Sequence, residues 1–306
     1  MVAFRVSMTI VVNLCILLSI LVSNCSSFPF FSNDIQDDEN DTDSDAVMTA
    51  LRDLGDKLFG EPNKDTGVAV SQWDPESELN PEELGKYAEG DILFRRTNED
   101  LTRNGLKNAS ARWPKGVVPY EISPYFSQKD RAMIMSAIDE YHKLTCVKFV
   151  PRTGSEPDYV MITNSNSGCW SSVGRLGGVQ ELNLQSPGCL TKKGTVMHEM
   201  MHAIGFLHEQ NRWERDQHVS INWQNIESGR ENNFEKAKKQ QTDAQGVGYD
   251  YRSVMHYSSN AFSKNNQPTI VSKVHGVKLG QRDGLSRKDV QKIRHMYKCS
   301  KRRSVN

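Results

Sequence analysis

Apolar residues recur at helical spacing in two stretches of this 306-residue chain, and a capping signal marks a third helix. From Ser127 to Leu144, Ile134, Ile138 and Tyr141 mark one face of a helix. Ser127, with Asp130 three residues later, supplies the capping signal at its start. Ser286 and Asp289 repeat that signal at the head of a helix predicted over Ser286 to Tyr297. Val47, Leu51, Leu54 and Leu58 line one side of a shorter helix between Val47 and Phe59. Val147–Val150 and Tyr159–Thr163 read as strands. Pro62 to Pro81 reads as an irregular linker, and Asn222 to Lys239 as a loop leading into a polar helix. Asn33 to Asp45 is dominated by aspartate without apolar periodicity and is expected to be disordered.

One apolar run has a different meaning. Ile10 to Val22, interrupted only by Asn13 and Ser19, follows Arg5 and precedes the small residues Ser23, Cys25, Ser26 and Ser27. Residues 1–27 therefore read as a secretory signal, with a retained signal anchor as the alternative. The run is short for a membrane span, no other stretch is apolar enough to be one, and a secreted product without a membrane segment is expected.

That compartment changes how the cysteines are read. Cleavage after Ser27 leaves Cys146, Cys169, Cys189 and Cys299, an even number that suggests two disulfides in any of three pairings. Asn40-Asp41-Thr42 and Asn108-Ala109-Ser110 become usable glycosylation sequons. The formal charge of zero hides an asymmetry: residues 1–103 hold 8 Lys and Arg against 20 Asp and Glu, and residues 104–306 hold 30 against 18. An acidic leader on a basic body suits an inhibitor attracted to its own enzyme, and equally a leader that only aids solubility. No clustered nucleic-acid-binding motif accompanies the basic body.

The chemistry is concentrated between His198 and Asp216. His198-Glu199-Met200-Met201-His202 puts two imidazoles four residues apart, on one helix face. Gly205 can turn the chain out of the helix and bring His208 back as a third nitrogen ligand. Three neutral histidines and a water make a tetrahedral zinc site with one exchangeable position, the layout of a catalytic zinc. Glu199, beside the metal but not on it, is placed to act as general base.

On these residues, on Glu209 and Arg212 just beyond, and on Ser253-Val254-Met255-His256-Tyr257 downstream, the chain resembles the astacin family of zinc endopeptidases, within the metzincins. The resemblance covers about Asn104 to Cys299. It implies an α+β, metzincin-like two-subdomain protease with a twisted mixed sheet, an active-site zinc helix and a Met-turn, binding one zinc ion. It also implies a simple organisation: signal peptide 1–27, a largely disordered propeptide 28–103 with an inhibitory segment near 88–92, and a catalytic domain 104–306. Modules such as EGF, CUB or MAM are not expected.

The resemblance further assigns residues. Asp91, in Ala88-Glu89-Gly90-Asp91, matches the aspartate that ligates zinc in astacin proenzymes, although Ala88 stands where the family motif has phenylalanine. Activation is expected between Arg103 and Asn104, with Arg95-Arg96 as a competing site, and the new amine would pair with Glu209. A glycan on Asn108 would conflict with burying that terminus. The pairings implied are Cys146–Cys299 and Cys169–Cys189. Gly177 to Leu184 is expected as an edge strand that an extended substrate pairs with antiparallel. Met255 would lie under the histidines, His256 would not ligate, and Tyr257 would bind zinc in the free enzyme and then stabilise the reaction intermediate. The expected partners are protein or peptide substrates and an activating trypsin-like protease, with the chain a monomer. The competing reading is a catalytically silent secreted binding protein on a protease fold.

Overall fold

The computed structural model describes residues 42–95, 110–239 and 245–300. Helix α1 (Thr42–Leu54) buries Val47, Met48 and Leu51. It stops short of Phe59 because Gly55 takes φ 55°, and Gly55–Leu58 continues as a 3-10 turn. Strand β1 (Phe59–Gly60) follows, then α2 (Lys64–Ser71).

Helix α2 lies where an irregular linker was expected, so the N-terminal segment is not largely disordered over its described part. Polar residues and Gly67 give α2 little intrinsic helical signal. Asn63 caps it by accepting from Thr66 N at 3.0 Å, and Thr66, Gly67 and Val70 are buried against the body. A Cβ on Gly67 would stand 2.0 Å from Asn166 O, so the glycine permits the close approach that stabilises the helix.

Strand β2 (Phe94–Arg95) pairs with β1. The body then forms one mixed sheet from β3 (Val117–Ile122), β4 (Lys148–Pro151), β5 (Tyr159–Thr163), β6 (Cys169–Ser171) and β7 (Val179–Leu184), in the order β4-β3-β5-β7-β6. All neighbours are parallel except β6 and β7. The edge strand is thus β6 and not Gly177–Leu184, which lies inside the sheet as β7. Pairing order is set by long-range packing that one strand's own pattern does not carry.

Helices α3 (Gln128–Leu144) and α4 (Lys193–Ala203) pack together beside this sheet in the main core. The α3 stripe Ile134, Ile138 and Tyr141 is fully buried, and Tyr141 Oη donates to Met197 O of α4 at 2.7 Å. The Ser127–Asp130 capping box is formed. A second, smaller core around Phe234, Tyr249, Tyr257, Phe262 and Ile270 encloses the antiparallel pair β8 (Val219–Ile221) and β9 (Ile270–Ser272). The second core reaches the histidines through Tyr257, whose ring lies 4.6 Å from His208.

Over 222–239 no α-helix forms. Glu231–Phe234 is a single 3-10 turn, because its main chain bonds elsewhere: Phe234 O accepts from Arg215 Nη2 at 2.7 Å and Asn233 O from Asn211 Nδ2 at 3.1 Å. Helix α5 (Arg287–Met296) is capped by Ser286 and Asp289 as expected. Cys146–Cys299 ties its end to the end of α3, and Cys169–Cys189 ties β6 to the turn before α4, with Cα atoms 5.5 and 5.7 Å apart. Among the described residues no helix is long and apolar enough to cross a membrane.

Candidate active site

Every residue of α4 from Gly194 to Ala203 is buried, so His198, Glu199 and His202 sit in the interior. The two rings are 4.8 Å apart, one helical turn. Gly205 then takes φ 105°, and a Cβ there would lie 2.5 Å from Ala111 O. Both the turn and the close approach require glycine. The redirected chain places the His208 ring 4.7 Å from His202 and 5.2 Å from His198.

Each imidazole has Nδ1 against an oxygen. His198 faces Val254 O at 2.7 Å, His202 faces Phe206 O at 2.7 Å, and His208 faces Glu89 Oε2 at 2.8 Å. With Nδ1–H donating there, Nε2 is left as a bare lone pair. The three Nε2 atoms converge on the Asp91 carboxylate, at 2.9 Å for His198, 3.4 Å for His202 and 3.3 Å for His208. His198 and His208 Nε2 are themselves 3.3 Å apart. Acceptor atoms this close repel unless a cation lies among them. Zinc–nitrogen bonds of about 2.0–2.1 Å, arranged tetrahedrally, would space ligand atoms about 3.3 Å apart. The four residues fit a zinc ion. Burial opposes charge on His208, yet the Asp91 and Glu89 carboxylates outweigh it and raise its pKa to about 9, so a zinc ion ligated there would take the place of a proton on that ring.

Glu199 is fully buried, and neither carboxylate oxygen has a hydrogen-bond partner. Burial, with the nearby charges of Asp91 and Glu82, pushes it well above the usual carboxylate range. A buried carboxylate with no hydrogen-bond partner is free to take and return a proton. Tyr257 is buried with its ring 4.6 Å from His208, and its hydroxyl donates to Glu89 O.

The 80–95 stretch fills the cleft. Leu93 N donates to Ser171 O at 3.1 Å and Ser171 N to Asp91 O at 2.9 Å, so this segment runs parallel to the edge strand β6. Ala88 stands where the family motif has phenylalanine, and the neighbouring Tyr87 is firmly anchored. Its hydroxyl donates to Ser167 O at 2.7 Å and accepts from Asn63 N at 2.9 Å, and its ring packs on Trp170. Two acidic residues add anchors that sequence reasoning missed. Glu82 pairs with Arg282, both side chains buried, and Glu83 accepts from Ser258 N and Oγ, each at 2.6 Å. Nothing in the sequence separates these glutamates from other charges of an acidic leader.

Glu209 is buried and fully engaged. It accepts from Lys292, from Arg212 at 3.0 Å and from Asp250 N at 2.7 Å. Its expected partner, the amine of Asn104, lies outside the described residues, as do Arg103, Asn40 and Asn108. His256 makes both its contacts away from the cluster, Nδ1 to Tyr257 O at 2.8 Å and Nε2 to Tyr249 Oη at 2.7 Å. Met255 is buried in the main core next to Val254, whose carbonyl orients His198. Asp289 was read only as a cap, but it also accepts from Ser253 Oγ at 2.6 Å and Val254 N at 2.8 Å, tying α5 to this turn.

The family model Astacin, which describes a peptidase family, matches residues 105–298, a span that contains the histidines, Glu199 and Tyr257. The chain belongs to the astacin family. Zinc metalloproteinase nas-7 of Caenorhabditis elegans is 43% identical over 225 residues, covering 74% of this chain and 57% of that protein. Zinc metalloproteinase nas-4 of the same organism is 42% identical, covering 71% of this chain and 70% of that protein. The chain therefore spans little more than half of the first of these relatives. Among solved astacin-like structures, high choriolytic enzyme 1, a hatching-enzyme zinc protease from the medaka Oryzias latipes, superposes with a TM-score of 0.57 at 39% identity. That match covers 62% of this chain and 94% of the fish enzyme. Asp91, Glu89 and Glu82 lie outside the astacin-matched span.

Proposed function

We propose that this astacin-family chain is a secreted zinc endopeptidase held latent by its own N-terminal segment. The observation that carries the reading is the convergence of three Nε2 lone pairs beside the unpartnered Glu199 carboxylate. His198, His202 and His208 would hold the zinc, with the Asp91 carboxylate as a further donor in the latent form. When bound, zinc supplies Lewis-acid polarisation and a water acidified toward neutral pH.

The side chains do the rest. Glu199 accepts the proton of the attacking water and passes it to the leaving amine. Tyr257, freed from Glu89, donates to the scissile carbonyl oxygen as that atom gains charge. Strand β6 offers main-chain groups to an extended polypeptide along the edge that residues 91–93 now cover. The parallel course of 91–93 presents the reverse of the antiparallel substrate direction, which suits an inhibitor that is not itself cut.

Residues 1–27 act as the signal, 28–103 as the propeptide and 104–306 as the catalytic domain, with a trypsin-like protease cutting between Arg103 and Asn104. The two disulfides support an oxidising, extracellular setting. Trypsin-treated Glu199→Gln protein tests the reading. It should retain one zinc and lose nearly all peptide hydrolysis, whereas full turnover would remove Glu199 from the mechanism.

A further inference from the structure

The three histidines are not oriented alike. His198 and His202 are held by main-chain oxygens of the body, Val254 O and Phe206 O. Only His208 has its Nδ1 held by the N-terminal segment, through the Glu89 carboxylate at 2.8 Å. Both groups are buried, the His208 side chain completely and that of Glu89 to 9% exposure.

Glu89 has an unusual backbone as well. Its φ is 48°, a region that residues with a Cβ rarely occupy, and such strain persists only where surrounding contacts over-determine it. Those contacts are present. Glu89 O accepts the Tyr257 hydroxyl, Gly90 N donates to Tyr87 O at 3.1 Å, and Ile92 N donates to Ala88 O at 2.9 Å. Gly90, at φ 88°, packs so tightly that a Cβ would lie 2.8 Å from the Phe262 ring. The tight turn directs the carboxylate at His208 and the carbonyl at Tyr257 from one residue.

We propose that Glu89 is a positioning residue of the latent metal centre: its carboxylate orients His208 toward zinc, so the latent form retains its metal more strongly than the activated form. The inference rests on the zinc reading above. A carboxylate on the far nitrogen of a ligating histidine fixes the ring and raises its basicity, and losing such a partner typically costs about 10–100-fold in metal affinity. Cleavage and release of the segment would withdraw the direct ligand Asp91, the orienting carboxylate Glu89 and the acceptor that restrains Tyr257.

The test is zinc release from the full-length, zinc-loaded chain into the chromogenic chelator 4-(2-pyridylazo)resorcinol. Wild type, Glu89→Ala, Glu89→Gln and Asp91→Asn are compared before and after trypsin activation. Before activation, Glu89→Ala should release zinc about tenfold faster or more, with Glu89→Gln in between because its amide oxygen still accepts a bond without carrying charge. After activation all Glu89 variants should match wild type, since residue 89 has left. Equal pre-activation rates for wild type and Glu89→Ala, with Asp91→Asn faster, would overturn the role of Glu89. Wild-type protein that binds no zinc would instead overturn the functional reading. Thermal melting of the zinc-free proteins separates a misfolded variant from a mispositioned ligand, and Glu89→Gln, with the native shape, keeps the comparison decisive.

Discussion

Arg282 and Glu82, 200 residues apart in the chain, form an ion pair with both side chains at or below 1% exposure. It joins the N-terminal segment to the catalytic body near Glu199, whose carboxyl senses both charges. Arg282 also donates to His256 O at 3.1 Å, so its guanidinium is fixed by the body and awaits the carboxylate. Removing one partner of a buried pair typically costs about 3–5 kcal/mol, because the other charge stays buried without compensation.

Glu82→Ala is therefore expected to loosen the latent form while leaving the body intact. Full-length variant protein should be nicked faster within residues 64–95 under limited proteolysis and should show more activity before trypsin than wild type. After activation the two proteins should have the same kcat, because Glu82 is no longer present. Identical nicking rates would mean that Asp91 and Tyr87 hold the segment unaided.

Tyr257→Phe removes a hydroxyl and leaves the ring packed on His208 and Phe262. In the activated enzyme kcat should fall by about 10²-fold or more with little change in KM, the pattern of a donor used mainly in the transition state. Steady-state kinetics on a peptide substrate reads this split, and an unchanged kcat would exclude Tyr257 from catalysis.

Lys292→Met should destabilise the folded chain by roughly 3–5 kcal/mol, by leaving the buried Glu209 carboxylate short of a counter-charge. Although burial alone would raise it, Lys292 and Arg212 hold the Glu209 carboxyl below its usual range. Chemical denaturation at neutral pH measures the loss. An amine arriving at Asn104 would join these two cations at Glu209, so Lys292→Met should also make stability more sensitive to activation.

His256 is buried with its pKa pushed down from the usual 6.5 to about 4, chiefly by burial. The unfolded chain therefore binds a proton at higher pH than the folded one. The contribution is complete above about pH 6.5 and is lost as pH falls toward 4. Integrated over that window it amounts to roughly 3 kcal/mol. Replacing His256 with Gln should flatten the pH dependence of denaturation in this window for zinc-loaded protein. A slope unchanged from wild type would assign the effect to other groups.

The histidine cluster was legible because its chemistry is local: a four-residue spacing and a glycine fix which atoms meet, whatever the rest of the chain does. Helices α3 and α5 were legible for the same reason, as each opens on a Ser-x-x-Asp box and α3 adds an apolar stripe. Helix α2 was not, since its stability comes from burying Thr66 and Val70 against residues about a hundred positions away. The edge strand was misplaced because Gly177–Leu184 was assigned from the resemblance, whereas the pairing order puts the three-residue β6 outside β7. Glu82, Glu83 and Glu89 looked like ordinary charges of an acidic leader. Only the fold reveals that Arg282, Ser258 and His208 receive them.

The most direct test of the account is casein hydrolysis by the full-length protein, assayed before and after brief trypsin treatment, with a zinc chelator and with zinc restored. Activity that appears only after trypsin, disappears with the chelator and returns with zinc is the predicted result. A trypsin-trimmed, folded, zinc-loaded body that cleaves nothing would contradict the account and favour a silent binding protein on the astacin fold.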